Sequence, residues 1–393
     1  MDKYDIAVIG AGPAGSMAAK YAAKAGANVA LLEEHASIGW PVQCAGLLGT
    51  KALEASELSP GDFIKGGLKG ATVYSPGCSK VSFKADSFKA WIVDRRLFDR
   101  SLALEAVRNG ADLRLISQVR DMIWAKDSGG NSSILVLSSG EKIAAKAIIL
   151  AEGVRASLSR KAGILPVGKI LSGAQAELPF VVDDPEKVEV HLGIPGLFAW
   201  VIPIGHKSAR VGLCTVENGC ESLRAFLQSG LIKNRILGSP TALNVGGLPM
   251  GPPSSTVTNG FLAVGDAAGQ VKPTSGGGIY PGLICAKIAG SVAAAAALEG
   301  DCSADRLKEY DKQWRAAIGR ELDVGMRANR LLNRMSDKEL DEVICYLARK
   351  PGLIRTIEEH GDIDRPSVLM AKMLPKLGFD GLKLAGLLRH ILG

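Results

Sequence analysis

The chain has 393 residues, 47% apolar and 22% charged, a balance that suits a globular protein of two or three layered domains. Its net charge of +7 would suit an anionic partner, but 5% aromatic residues and the lack of any basic block disfavour nucleic acid. The 7 cysteines form no C-x-x-C pair and their odd number argues against a disulfide framework, so a reducing cytoplasm fits best; the 5 histidines are scattered, and no metal site is expected.

The first expected element is a strand over Ile6–Ile9, and a start by Tyr4 leaves no room for a signal peptide. It runs into Gly10-Ala11-Gly12-Pro13-Ala14-Gly15, then an Ala-rich helix over Ser16–Lys24 that Gly26 stops, and a second strand over Asn28–Leu32. Glu33 ends that strand, close to where a dinucleotide fold places the carboxylate that accepts ribose hydroxyls. Gly10 permits the tight turn, Gly12 lets backbone approach a pyrophosphate, and Gly15 lets the helix pack closely on the strand. The helix N-terminus then offers free N–H groups to phosphate. This motif alone does not separate NAD from FAD.

An irregular stretch through "IGWPVQCAGLLGTKAL" follows, then short strands at Ala71–Tyr74, Lys80–Phe83 and Ala90–Val93. A helix is expected from about Arg95 to Arg108, closed by Gly110. Leu113–Ser117, Val119–Ala125 and Ile134–Leu137 read as a meander across the nucleotide-binding sheet, the last two joined by "SGGNSS". Ala147–Leu150 returns as a buried strand. From about Ile164 to Asn244 the pattern alternates, as in an antiparallel sheet with one buried face. Phe261–Val264 is a strand running into Gly265-Asp266, and a long helix follows the Gly276-Gly277-Gly278 loop, starting near Ile279. That helix is the most apolar window, but its Lys287 and its many Ala and Gly residues suit packing on a sheet better than a bilayer span. From Ser303 the chain reads as mostly helical.

The expected class is therefore α/β with α+β character. A discontinuous Rossmann-like domain covers 1–70, 94–163 and 245–302, a β-sheet substrate domain covers 71–93 and 164–244, and a helical section covers 303–393.

Four segments, "GAGPAG", Arg95 in "DRRLFD", "AEGVRASLSR" and "GDAAGQVKPTSGGG", together resemble the fingerprints of the flavin-binding fold of the aromatic hydroxylase class. Within that class, "IGWPVQCAG" and "PGLFAWVIP" are similar to motifs of the archaeal geranylgeranyl reductase family, which saturates the prenyl chains of membrane lipids. The resemblance implies FAD as cofactor, with Arg95 helping to hold it. Asp266 can accept from a ribityl hydroxyl, and the Lys272–Gly278 loop can bring bare backbone against the flavin ring. This chain departs from the family in having Glu152 where Asp is usual, Gln43 where a basic residue is common, and Ala45-Gly46 where an acidic residue is common.

Saturating an isolated alkene needs a hydride, a proton and a dry site. Cys44 matches the family's cysteine near the flavin, where it could donate the proton, orient the alkene, or act only as a small hydrophobe. Tyr280, just past the glycine loop, is a second candidate that could equally be structural. Phe198, Trp200 and Ile202 alternate and must share one strand face, with Pro203 after them. They suit the wall of a prenyl tunnel, and by pattern alone they suit a domain core as well.

The resemblance implies reduction of geranylgeranyl chains in archaeal-type glycerophospholipids or their precursors. A flavin monooxygenase on the same scaffold, or a prenyl carrier without catalysis, are the other readings. No second G-x-G-x-x-G follows a strand, so NADPH, ferredoxin or another carrier could be the electron donor. The C-terminal stretch mixes Leu and Met with Lys372, Lys376, Lys383 and Arg389; it could lie on the cytoplasmic face of an anionic membrane or simply cover the tunnel.

Overall fold

The computed structural model describes residues 1–127, 130–165, 168–377 and 391, to which all counts refer; the tip of the "SGGNSS" turn, Lys383 and Arg389 lie outside them. Strand β1 (Asp2–Ile9) buries Ile6–Ile9 completely or nearly so, as the middle of a parallel sheet requires. Helix α1 (Pro13–Lys24) starts earlier than the Ala-rich run suggests, because Pro13 at its first position needs no N–H partner. β2 (Val29–Leu32) pairs parallel with β1.

Next come β3 (Leu47–Gly49), α2 (Thr50–Ser56), β4 (Ile64–Leu68), β5 (Gly70–Tyr74), β6 (Lys80–Lys84) and β7 (Ala90–Val93). Ala90–Val93, expected within the substrate sheet, pairs instead with β3 and β4 in a separate three-stranded sheet. Helix α3 (Arg95–Arg108) is capped by Asp94, whose side chain accepts from the Arg96 N–H, and Gly110 follows its end at φ +103°. β8 (Asp112–Arg114) is not the first strand of the meander. Delivered by a helix, it lies parallel to β2 at the sheet edge. The meander is β9 (Val119–Asp127), β10 (Gly130–Leu137) and β11 (Lys142–Leu150), and β11 also runs parallel to β1.

After α4 (Ser157–Lys161) come β12 (Ile170–Pro179), β13 (Lys187–His191), β14 (Gly196–Pro203) and β15 (Ser208–Thr215). Helices α5 (Gly219–Gln228) and α6 (Gly230–Lys233) interrupt what the alternation suggests is continuous sheet. Their start is marked by Asn218, whose side chain accepts from the Cys220 and Glu221 N–H groups. β16 (Ala242–Pro249) completes a seven-stranded sheet in the order β16-β12-β15-β14-β13-β5-β6. One of its faces buries Ala176, Leu178, Phe180 and Val211 beneath α5 and α6, and the other faces the nucleotide-binding half.

β17 (Val257–Thr258) and β18 (Phe261–Ala263) return the chain to the first sheet, with β18 parallel to β11. Helix α7 (Ile279–Glu299) is long and apolar enough to cross a membrane by composition. Two-thirds of its apolar window (67%) is buried within the protein, so it is a core helix. The chain ends in α8 (Ala304–Trp314), a π-helical turn over Arg315–Gly319, α9 (Arg320–Leu332), α10 (Asp337–Ala348), α11 (Pro351–His360) and α12 (Pro366–Met373). Tyr310 and Trp314 are fully buried, and the Tyr310 hydroxyl donates to the Ala263 carbonyl at 3.0 Å, fastening the helical section to β18.

At the outer edge of the helix layer, Glu57 accepts from Lys20 at 2.9 Å, Lys287 at 2.6 Å and the Tyr21 hydroxyl at 2.5 Å, joining α1, α2 and α7. Partial burial pulls the Glu57 carboxyl up, but these three donors outweigh it and hold it at about 2, below the ordinary 4.5. A depressed carboxylate stabilises the fold above its unfolded pKa and ceases to do so as pH falls through the folded one. The contribution should be complete above about pH 4.5 and gone near pH 2. Thermal midpoints of Glu57→Gln are therefore expected to trail the parent at neutral pH and converge with it in acid.

Candidate functional site

The site begins where β1 ends. Gly10 sits at φ +100°, where a Cβ would come within 2.5 Å of the Ala151 carbonyl, and a Cβ on Gly15 would come within 1.8 Å of the Gly10 carbonyl. Neither position admits a side chain. At Gly12 a Cβ would meet nothing within 4 Å, so its backbone faces open space. Glu33 holds the turn: Oε2 accepts from the Ala11 N–H at 3.0 Å, while Oε1 accepts from the His35 N–H at 3.0 Å. The first turn of α1 has no side-chain cap, which leaves its N–H groups for an anion.

Gly12, Pro13 and Ala14 form one end of a cavity of about 360 Å³ that continues past Gly265, Asp266 and the Gly276–Ile279 loop to Cys44 and Arg95. The Asp266 side chain has no hydrogen-bond partner among the described residues; burial pushes its carboxyl up, and Arg95 pulls it partly back. Arg95 grips Asp99 through Nε at 2.8 Å and Nη2 at 2.9 Å. Burial opposes the Arg95 charge, but Asp99, and after it the Cys44 thiol, favour it and keep it above its ordinary value. Cys44 Sγ accepts from the Gly46 N–H at 3.3 Å. Cys214 lines the same cavity, its thiol pushed up to about 11 by burial, with Cys44 adding to the effect. The Ser275 hydroxyl is buried in the glycine loop with no partner. An unpartnered carboxylate, an orphaned hydroxyl and open backbone at Gly12 fit a phosphate-bearing flavin.

Phe198 and Trp200 are half-buried on the wall opposite the glycine loop, their rings edge to face at 6.1 Å, and Ile202 is buried beside them. The Trp200 indole donates to Gln175 Oε1 at 3.0 Å and packs against Gly212, where a Cβ would come within 2.6 Å of the ring. Beyond this wall a second cavity of about 570 Å³ opens between β5 and β13 on one side and α9–α11 on the other. Leu47, Val188, Leu197, Phe198, Ser275 and Ile363 line both cavities, so the two adjoin.

A curated digeranylgeranylglycerophospholipid reductase of Methanocaldococcus jannaschii is 36% identical to the chain over 355 residues, which cover 86% of this chain and 89% of that protein. The chain belongs to the digeranylgeranylglycerophospholipid reductase family. Digeranylgeranylglycerophospholipid reductase 2 of Methanothermobacter thermautotrophicus is 34% identical over 88% of this chain and 92% of its own length. Residues 4–166 match the family model described as pyridine nucleotide-disulphide oxidoreductase. A crystal structure of a geranylgeranyl bacteriochlorophyll reductase-like protein from Thermoplasma acidophilum superposes with a TM-score of 0.83 at 26% identity, covering 98% of this chain and 100% of that one. The chain is an oxidoreductase with a flavin cofactor.

Within this reductase, not every expected site residue reaches a cavity. Tyr280 lies in the hydrophobic core beneath the sheet, its hydroxyl 3.5 Å from an Arg365 nitrogen; its helix neighbours Ile279 and Gly282 line the cavity in its place. The helical rotation of about 100° per residue sends Tyr280 inward. Pro203 is buried at the end of β14 and lines neither cavity. Glu152 also turns away. Its longer reach is used to accept from the Leu158 and Ser159 N–H groups at 3.0 and 2.6 Å, capping α4.

Sequence reasoning missed Arg210, which donates to the Ala45 carbonyl at 2.9 Å and so pins the Cys44 loop to β15. It also missed Asn329 and Asn333, which clasp the Gly196 carbonyl at 2.9 and 3.1 Å. The second pair was readable as an i, i+4 match on one helix face. Arg210 left no local signal.

Two substitutions test the assignment. Asp266→Ala should weaken flavin retention about tenfold or more, as expected when a charge-assisted hydrogen bond of about 1.5–3 kcal/mol is lost, and dialysis against free flavin measures it. Trp200→Ala should leave flavin retention and thermal midpoint near those of the parent while lowering affinity for a geranylgeranyl lipid. A core role would instead lower stability by about 3–5 kcal/mol.

Proposed function

We propose that the chain is an FAD-dependent reductase that saturates the C=C bonds of geranylgeranyl chains in archaeal-type glycerophospholipids or their precursors. The observation that carries this reading is the apolar 570 Å³ cavity that shares a wall with the cofactor cavity at Phe198, Ser275 and Ile363. Its volume is in the range of small-molecule ligand sites, and half of its lining residues are Leu, Val, Ile or Ala. A prenyl chain lying along β5 and β13 would pass Phe198 on its way to the glycine loop. The curated relatives carry the same substrate class in their names.

The residues divide the work. Gly12 and the first turn of α1 would bind the pyrophosphate, Glu33 a ribose and Asp266 the ribityl chain. When bound, reduced flavin supplies the hydride. Phe198, Trp200 and Ile202 exclude water from the reacting alkene. Cys44 is the proton-bearing group that we place nearest the alkene. The Gly46 N–H occupies one lone pair of its sulfur and orients it, and Arg95 lies beside it. The outer helices close the lipid cavity, and on α12 the exposed Val368 beside Lys372 suits contact with an anionic membrane from which the lipid is taken.

The test is a single turnover. Purified protein loaded with FAD, reduced chemically without oxygen and mixed with a geranylgeranyl glycerophospholipid should yield lipid heavier by two hydrogens per bond, read by mass spectrometry. Product heavier by oxygen, formed only in air, would replace this reading with the monooxygenase one. Cys44→Ala should retain the flavin spectrum and slow the turnover by about 10²-fold or more, as loss of a positioned proton donor does.

A further inference from the structure

The glycine loop carries a buried charge pair that the hydride and proton steps leave unused. Lys272 is 7% exposed, and its ammonium donates to Asp364 Oδ1 at 2.5 Å and to the Ile363 carbonyl at 3.0 Å. Two of its three hydrogens are thereby placed. The side chain lies over Gly277, where a Cβ would come within 2.8 Å of Lys272 Cε and 3.1 Å of Nζ, and Lys272 lines the cofactor cavity. Asp364 is 2% exposed and lines neither cavity. Its second oxygen has no partner and presses on Gly49, where a Cβ would come within 2.1 Å of it.

The pair therefore has a direction. Its cationic residue borders the cofactor cavity, and its acidic residue lies outside both cavities. Anchoring the connector does not by itself require a charge pair, because a buried ion pair is often no better than a packed apolar pair, and an unpartnered carboxylate oxygen adds cost. Of the other charged residues that line the cavity, Arg95 is paired with Asp99 on its own helix and Asp266 is acidic, so Lys272 is the cation carried by the glycine loop itself.

We infer that Lys272, oriented by Asp364, is a positioning pair that sets the reduction potential of the flavin by holding positive charge beside its ring. Reduction adds electron density to the flavin, and a cation in a low-dielectric site favours the electron-rich form. The same charge would make hydride harder to give up, so the carboxylate behind it acts as a partial counterweight. This inference rests on the proposed function, with the flavin ring against the glycine loop that carries Lys272.

Spectroscopic redox titration of the flavin-loaded protein tests it through the sign of the effect. Asp364→Asn removes the counterweight and should favour reduced flavin at least tenfold, a rise of about 30 mV for a two-electron couple. Lys272→Met should move the equilibrium at least tenfold the other way, a fall of about 30 mV. Because Lys272→Met leaves a buried carboxylate unpaired and could fail to fold, the double variant Lys272→Met with Asp364→Asn carries the same downward expectation without that burden. Reduction equilibria within about threefold of the parent, a shift under about 15 mV, or shifts of the same sign in Asp364→Asn and the double variant, would overturn the inference while leaving the functional reading intact. Loss of flavin from both variants but not from the parent would also overturn it, by reducing the pair to a loop brace. A parent protein that takes up no flavin would overturn both.

Discussion

Helices α1 and α7 meet with no side chain between them at Gly290, where a Cβ would come within 2.2 Å of the Ala18 carbonyl and 3.0 Å of the Ala22 nitrogen. The rest of the site depends on this contact. α1 starts from the Gly10–Gly15 turn and α7 from the Gly276–Gly278 loop, so the closeness of the two helices fixes the gap between the two loops that line the cofactor cavity. A gap set by backbone against backbone tolerates little drift, because close-packed interiors have no slack to take up. The Glu57 cluster ties the same two helices at their outer side, where charge rather than contact does the holding.

A second set of ties joins the helical section to the cofactor half. The short connector between α11 and α12 carries Asp362, paired with Lys51 at 2.5 Å, and Asp364, paired with Lys272. Between them Ile363 reaches the wall shared by the two cavities. Arg365 completes the connector by approaching the Tyr280 hydroxyl. Polar anchors on either side of one apolar residue let a loop from the helical section form part of a dry wall without burying free backbone.

What the sequence revealed follows from how local each signal is. The glycine turn, Glu33 at the end of β2, Arg95 at the start of α3 and the apolar run of α7 are all set by near neighbours, and each lies where its spacing implies. The pairing of β8 with β2 and of β7 with β3 and β4 was hidden, because a three- or four-residue strand does not name its partner. Tyr280 read as a site residue because it follows the loop, but helical rotation decides which side it faces. The larger cavity itself had no signature. Its walls come from β5, β13 and α9–α11, and apolar residues on those elements look the same whether they face a core or a void.

The order of the strands bears on how the molecule is made. In the first sheet β1 pairs with β11 and β11 with β18, while the whole seven-stranded sheet is threaded between those last two partners, apart from β5 and β6. The glycine turn precedes α7 by more than 260 residues, so the contact of α1 with α7 and that of Glu57 with Lys287 can form only after the intervening chain. Such long-range closure is slow and leaves apolar surface exposed in the meantime. The substrate sheet, its own core built largely from residues 174–232, is free to form while the nucleotide half is still open. The strand order thus lets the middle of the chain close on itself, while the glycine turn is completed only by contacts that come from α7.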